Sequence, residues 1–195
     1  MWPISLDEPV VAALLAQACG DQKAQQPLLR ARVLLDTLTL AGPRLDGPQV
    51  KYRETAGQLL MQLRPSPHDV LFVVPGQPGY RVVAVATYQT ERELKQGVQT
   101  ALQAQTARHR PRMAWAQVRS QLPPAEPAAA MVLDALAQLI GRRFLQGVDV
   151  PTLAARLAVS PAQVAKIERI DARPTLATLQ RYAQALELTL ELNVR

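Results

Sequence analysis

Aromatic side chains are scarce in this chain, 4% of 195 residues with two Phe, two Trp and four Tyr, and it has a single cysteine and two histidines. One cysteine cannot close an internal disulfide. Cys19 lies in the apolar run VVAALLAQAC and is expected to be a small buried residue without chemistry of its own. No Cys/His spacing fits a metal site, and no Gly-rich phosphate loop, Gly-x-Ser-x-Gly elbow or internal repeat is present, so neither a metal nor a cofactor is expected. Apolar runs fall well short of the ~20 residues of a membrane span. The first twenty residues carry Asp7 and Glu8 where a secretory leader would be positive. These absences point to a soluble, cytoplasmic protein with no membrane partner.

What is present is a globular composition with 48% hydrophobic residues and a net charge of +6, in a length that accommodates two ordinary domains. The charge suits a polyanionic partner. It is unevenly spread: 14 basic against 9 acidic residues over 1–120, and 8 against 7 over 121–195.

The C-terminal stretch carries the clearest pattern. Leu153, Ala154 and Leu157 recur at helical spacing behind Asp149, an N-cap residue, with Pro151 in the first turn. Ala158-Val159 breaks the repeat. Ser160 then caps a second short helix with Pro161 at its first position and Val164, Ile167 and Ile170 on its inner face. Its outer face presents Gln163, Lys166 and Arg169, and such a helix suits the major groove of DNA, where residues near its N-terminus reach base edges. The candidate DNA-binding residues are Ser160, Ala162, Gln163, Lys166 and Arg169.

The text LAARLAVSPAQVAKIE followed by TLATLQRYAQALELTLEL resembles the lambda-repressor-like (XRE) helix-turn-helix in the form found in HigA-type antitoxins. The resemblance implies sequence-specific binding of double-stranded DNA and a strand at Leu188 to Val194 after the last helix. It departs from the family at Val150, where a phosphate-gripping Gln is usual, which should weaken affinity without preventing docking.

In the N-terminal part, helices are expected over Asp7 to Cys19 and Gln26 to Leu40, stopped by Gly42-Pro43, after a short strand at Trp2 to Leu6. Strand-like runs follow at Leu59 to Leu63, Val70 to Val74 and Tyr80 to Tyr88. Pro65-Ser66-Pro67 and Pro75-Gly76-Gln77-Pro78-Gly79 separate them, making an antiparallel meander the simplest topology. A helix at about Thr90 to Thr106 closes the unit. GQLLMQLRP, DVLFVV and GYRVVAVATYQTERELKQGVQTALQAQ, in that order, resemble the central strands and last helix of the RelE/HigB toxins, with PRLDGPQVKYRE as the basic loop before the sheet. That likeness implies a ribosome-dependent mRNA interferase and assigns catalytic roles to Lys51, Arg53, Arg64, Arg81 and Tyr88. The departure is Thr87-Tyr88-Gln89-Thr90-Glu91, which lacks the family's lysines and places Glu91 where phosphate would lie; His68, the only histidine near the sheet, has the chemistry of an acid or base at neutral pH but is read as a turn residue. The site is therefore expected to be degenerate or at best weak, or else masked by the second half.

The expected architecture is an α+β RelE/HigB-like domain of helices on a small antiparallel sheet over 1–108, an Arg/Pro-rich linker over 109–127, and a mostly α helix-turn-helix domain over 128–195 that opens with a helix from Ala128 to Phe144. Joined in toxin-then-antitoxin order, the halves suggest a single-chain HigBA-like fusion that binds its own promoter as a homodimer, with mRNA on the ribosome as a second partner of the toxin-like half. Two alternatives stay open: an interferase held inactive by its fused antitoxin domain, and a protein-interaction adaptor.

Overall fold

The computed structural model describes residues 1–20, 22–47, 49–55, 57–107, 110–122, 127–169 and 174–191, and divides into two compact units. The first contains Met1–Leu35 and Asp46–Pro123; the second contains Asp36–Leu45 and Pro124–Arg195. The expected apolar Ile170, the basic Arg108 and most of the Pro-rich stretch around residue 124 lie outside the described residues.

The first unit is an α+β domain on a mixed sheet that has six strands among the described residues, in the order β2-β3-β4-β5-β1-β6. Strand β1 spans Ile4–Asp7, β2 Val50–Thr55, β3 Gln58–Leu63, β4 Asp69–Pro75, β5 Tyr80–Thr87 and β6 Arg112–Ala114. The expected meander is β3-β4-β5, antiparallel throughout, with Met61 opposite Val73 and Phe72 opposite Ala84. Three findings enlarge and correct that expectation. The stretch expected as a basic loop is strand β2, paired along its whole length with β3. Only Val50 is buried at its start, while Lys51 to Glu54 are exposed on both faces at the sheet edge, so no alternation marks it and by pattern it is hard to tell from a loop.

Strand β1 joins the sheet beside β5 and runs parallel to it, so the sheet is mixed and not wholly antiparallel. Gly79 makes this possible: its φ of 84° suits the turn, and any Cβ there would collide with the Pro3 carbonyl, which accepts the Tyr80 N–H at 2.9 Å. Part of the expected linker is folded as well. Arg112–Ala114 pairs with β1, and helix α4, Trp115–Gln121, buries Trp115 and Val118, so apolar side chains hold this segment in the first unit despite its flanking arginines.

Helix α1, Glu8–Ala18, and the beginning of α2, Gln22–Ala41, pack on the sheet face that carries Leu71 and Val85. Helix α3, Glu91–Thr106, covers the other face over a cluster of Leu60, Val70, Phe72, Val74, Val98 and Ala101. Thr90 starts α3 with a capping box: its hydroxyl accepts the Glu93 N–H, and Glu93 in return accepts the Thr90 N–H at 3.2 Å. The backbone N–H groups of Gln89 and Thr90 hold the Glu93 carboxyl below its usual range. Cys19, expected to be buried, is exposed, because α1 ends at Ala18 and leaves it beyond the last buried turn.

The second unit is helical. It contains the end of α2, then α5 at Pro127–Leu145, α6 at Val150–Leu157, α7 at Pro161–Glu168 and α8 at Leu176–Ala185. Its core is Leu133, Leu136, Leu139, Leu153, Val164, Leu179 and Tyr182. Gly141 lets α5 approach α2 closely, since a Cβ there would crowd Leu40. The strand expected at Leu188 to Val194 is not formed over Leu188 to Glu191, and the rest lies outside the described residues. Helix α8 instead closes with Glu187 at φ 60°, its N–H on Gln184 O and the Leu188 N–H on Ala183 O, a left-handed cap that turns the chain away from the helix axis. No helix among the described residues is long and apolar enough to cross a membrane.

Candidate nucleic-acid interface

Helix α5 ends in a glycine cap: Gly147 takes φ 68°, and the Val148 N–H bonds back to Arg143 O at 3.1 Å. Two residues later Asp149 Oδ1 accepts the Thr152 N–H at 2.8 Å and starts α6, as its sequence position predicts. The Thr152 hydroxyl and N–H hold the Asp149 carboxyl below its ordinary range. The turn between α6 and α7 is made by Ala158 in the left-handed region, φ 54° and ψ 45°, with its N–H on Ala155 O and the Val159 N–H on Ala154 O.

Ser160 then caps α7. Its hydroxyl accepts the Gln163 N–H at 3.3 Å, while Gln163 Oε1 accepts the Ser160 N–H at 2.8 Å. Val164 is fully buried and Ile167 half-buried, so the inner face of α7 is as the spacing predicts. On the opposite side Ser160, Ala162, Gln163 and Lys166 are exposed together; Arg169, half-buried, follows the last helical residue. Among the described residues these five are brought into one short segment, the tight turn setting the angle at which α7 is presented. Residues 152–193 match the family model described as helix-turn-helix. Searches of the curated proteins and of the solved structures gave no match. The helix-turn-helix region carries with it the expectation of DNA binding for the second unit.

A polar network that sequence reading missed holds this helix-turn-helix in place. Arg143 of α5 donates through Nε and Nη2 to the two carboxylate oxygens of Glu168, the last residue of α7, at 2.8 and 3.1 Å. Its Nη1 donates to Val148 O at 3.0 Å, and its guanidinium lies 4.1 Å from the Phe144 ring centre. Tyr182 of α8 donates its hydroxyl to Glu168 Oε1 at 2.6 Å. Burial, and then the Glu168 carboxylate, push the Tyr182 phenol well above its usual range. The partners are 25 and 14 residues apart along the chain, a separation that no local spacing rule addresses.

In the first unit, the residues assigned from the toxin resemblance separate into two places. Lys51 and Arg53 are exposed on β2, opposite Gln62 and Leu60, so by strand alternation they share the sheet face that α3 covers. Arg64 follows β3; its Nη2 donates to the buried Gln62 Oε1 at 3.0 Å, and its guanidinium stands 6.0 Å from the centre of the Tyr88 ring. Tyr88 packs at the edge of the cluster beneath α3. His68 exposes its ring in the turn before β4, Nδ1 lying 3.2 Å from Tyr88 O, and Glu91 pairs with Lys95 on the surface of α3.

Arg81 is elsewhere. Seven residues from Tyr88, roughly 23 Å along an extended strand, it is buried in a two-pronged pair with Asp7, Nε to Oδ1 at 2.6 Å and Nη2 to Oδ2 at 2.7 Å. The same Nη2 also reaches Ala104 O and Ala107 O at the end of α3. In that position the guanidinium ties β5, β1 and α3 together and turns no donor toward a phosphate beside Tyr88.

Proposed function

We propose that this chain is a single-chain toxin–antitoxin-like fusion that works as a sequence-specific DNA-binding autoregulator. Its second unit reads DNA through α7, and its first is a toxin-like domain with an incomplete basic set. The observation that supports this best is the exposed run of Ser160, Ala162, Gln163 and Lys166 on a capped helix set by the Ala158 turn, within a helix-turn-helix match. A homodimer would place two such helices about 34 Å apart on successive major-groove faces of an inverted repeat. The test is a titration of the full chain against DNA from its own upstream region and a scrambled duplex at two salt concentrations. Tighter upstream binding that weakens with salt, and weakens again in Lys166→Ala and Arg169→Ala, is expected. Equal binding to both duplexes, or none, refutes the reading.

A second reading, an mRNA interferase held inactive by the fused domain, draws on the placement of Lys51, Arg53, Arg64 and Tyr88 toward one sheet face. Under it, expression of residues 1–123 alone arrests growth and Arg64→Ala relieves the arrest. Normal growth with that segment folded and abundant refutes it.

A further inference from the structure

Gln163 stands in the first turn of the helix assigned to the major groove, and its terminal amide is already half spent. Oε1 accepts the Ser160 backbone N–H at 2.8 Å and the Ser160 hydroxyl at 3.2 Å. A backbone N–H can only donate, so the atom facing it must be the amide oxygen; the usual ambiguity between O and N in a glutamine is resolved by its partner. Two donors occupy the two lone pairs of Oε1. Nε2, with two hydrogens, donates to none of the described residues, and the side chain is exposed.

The rest of this turn offers a base little else. The Ser160 hydroxyl gives its hydrogen to Gln163 Oε1 and accepts the Gln163 N–H; Pro161 and Ala162 have no polar side-chain atom. One turn on, Lys166 is exposed and is again a donor only. With Ser160 Oγ keeping a single lone pair, the exposed polar groups at the leading edge of α7, Gln163 Nε2 and Lys166 Nζ, are mainly donors.

Bases differ in how they meet such a surface. Adenine is read by a glutamine that both donates to N7 and accepts from the N6 amino group, which needs a free amide oxygen. Guanine presents two acceptors in the major groove, O6 and N7, and one NH2 group can donate to both. From this we infer that Gln163 is a specificity-determining residue that acts as a donor alone and selects guanine over adenine at the base pair it faces. The inference rests on DNA binding by α7.

The test starts from duplexes selected out of a randomised pool by the full chain, each position of the selected site then being replaced in turn. Gln163→Glu separates the two jobs of the side chain, because a carboxylate still accepts from Ser160 and keeps the capping box but has no hydrogen to donate. The expected result is one position where guanine is preferred over adenine by about tenfold, where 7-deazaguanine binds like adenine, and where the Gln163→Glu variant, its helical circular dichroism unchanged, has lost the preference. A selected site at which Gln163→Glu alters no base preference, or alters one for adenine, overturns the inference while leaving DNA reading intact. Failure of the pool to yield any preferred sequence overturns DNA reading itself, and this inference with it.

Discussion

Replacing Glu168 by alanine should be among the most damaging single changes in the second unit. Arg143 is buried and Glu168 largely so, their side chains 5% and 12% exposed, and they are joined by two short bonds. Alanine leaves the Arg143 guanidinium charged, out of water and without its two-pronged carboxylate partner, and it strips Tyr182 of its acceptor. Removing one partner of a buried pair costs about 3–5 kcal/mol. Against a urea dependence of ~1.5 kcal/mol per molar, that loss lowers the unfolding midpoint by roughly 2–3 M. The assay is urea unfolding of the full chain followed by far-ultraviolet circular dichroism, with amide exchange locating the loss in α5 to α8. Removing the network together, Arg143→Met with Glu168→Leu and Tyr182→Phe, should be near neutral, because the desolvation cost disappears along with the attraction and no buried hydroxyl is left without an acceptor. A loss below about 1 kcal/mol in Glu168→Ala would mean that the pair behaves as a solvated surface bridge and would refute the account of how α7 is held.

Other outcomes follow from the same geometry. Because the Tyr182 phenol is raised by burial and by Glu168, its contribution is fully present below the ordinary phenol value near 10 and is lost as pH climbs toward the folded value; an alkaline unfolding scan should show this loss, and Tyr182→Phe should flatten it. Ala158 holds a left-handed conformation that costs an L-residue about 1–2 kcal/mol, so Ala158→Gly should raise stability by ~0.5–1 kcal/mol after glycine's larger chain entropy is subtracted; a lower urea midpoint would contradict the turn geometry. Asp7→Ala should cost about 3–5 kcal/mol by stranding Arg81, against less than ~0.5 kcal/mol for Lys51→Ala at the exposed edge, both read from denaturation midpoints.

The helix-turn-helix was legible because its determinants are local. Asp149, Ser160 and Thr175 each cap the helix that follows by accepting an N–H three residues on, and the stripe of Leu153, Ala154, Leu157 and Val164 is buried as helical spacing requires. Turn residues also announced the β3-β4-β5 meander. The strand after α8 was not foretold correctly over Leu188 to Glu191: its alternating residues read as a strand, yet a left-handed cap at Glu187, a residue with no glycine-like signature, directs the chain there. Nor did any pattern announce β1 beside β5, since a parallel neighbour 76 residues away in register, Ile4 with Tyr80, leaves no local trace.

The candidate basic site shows the same limit in its chemistry. A positive residue at either end of a strand reads identically whether it will meet a phosphate or a carboxylate. Arg64 and Arg81 each stand near the end of a strand in the central sheet, and sequence position gave them equal weight. What separates them is a partner supplied from elsewhere. Asp7, at the end of β1, reaches Arg81 from 74 residues away and is itself fully buried, so the charge of Arg81 is neutralised inside the fold. Arg64 meets the amide oxygen of Gln62 and the face of Tyr88 among its described contacts, neither of which cancels its charge. Under the interferase reading, nucleic-acid contact by the first unit would rest on Arg64, Lys51 and Arg53 without Arg81, and a substitution at Arg81 that abolished such binding would act by loosening β1 and α3 from the sheet.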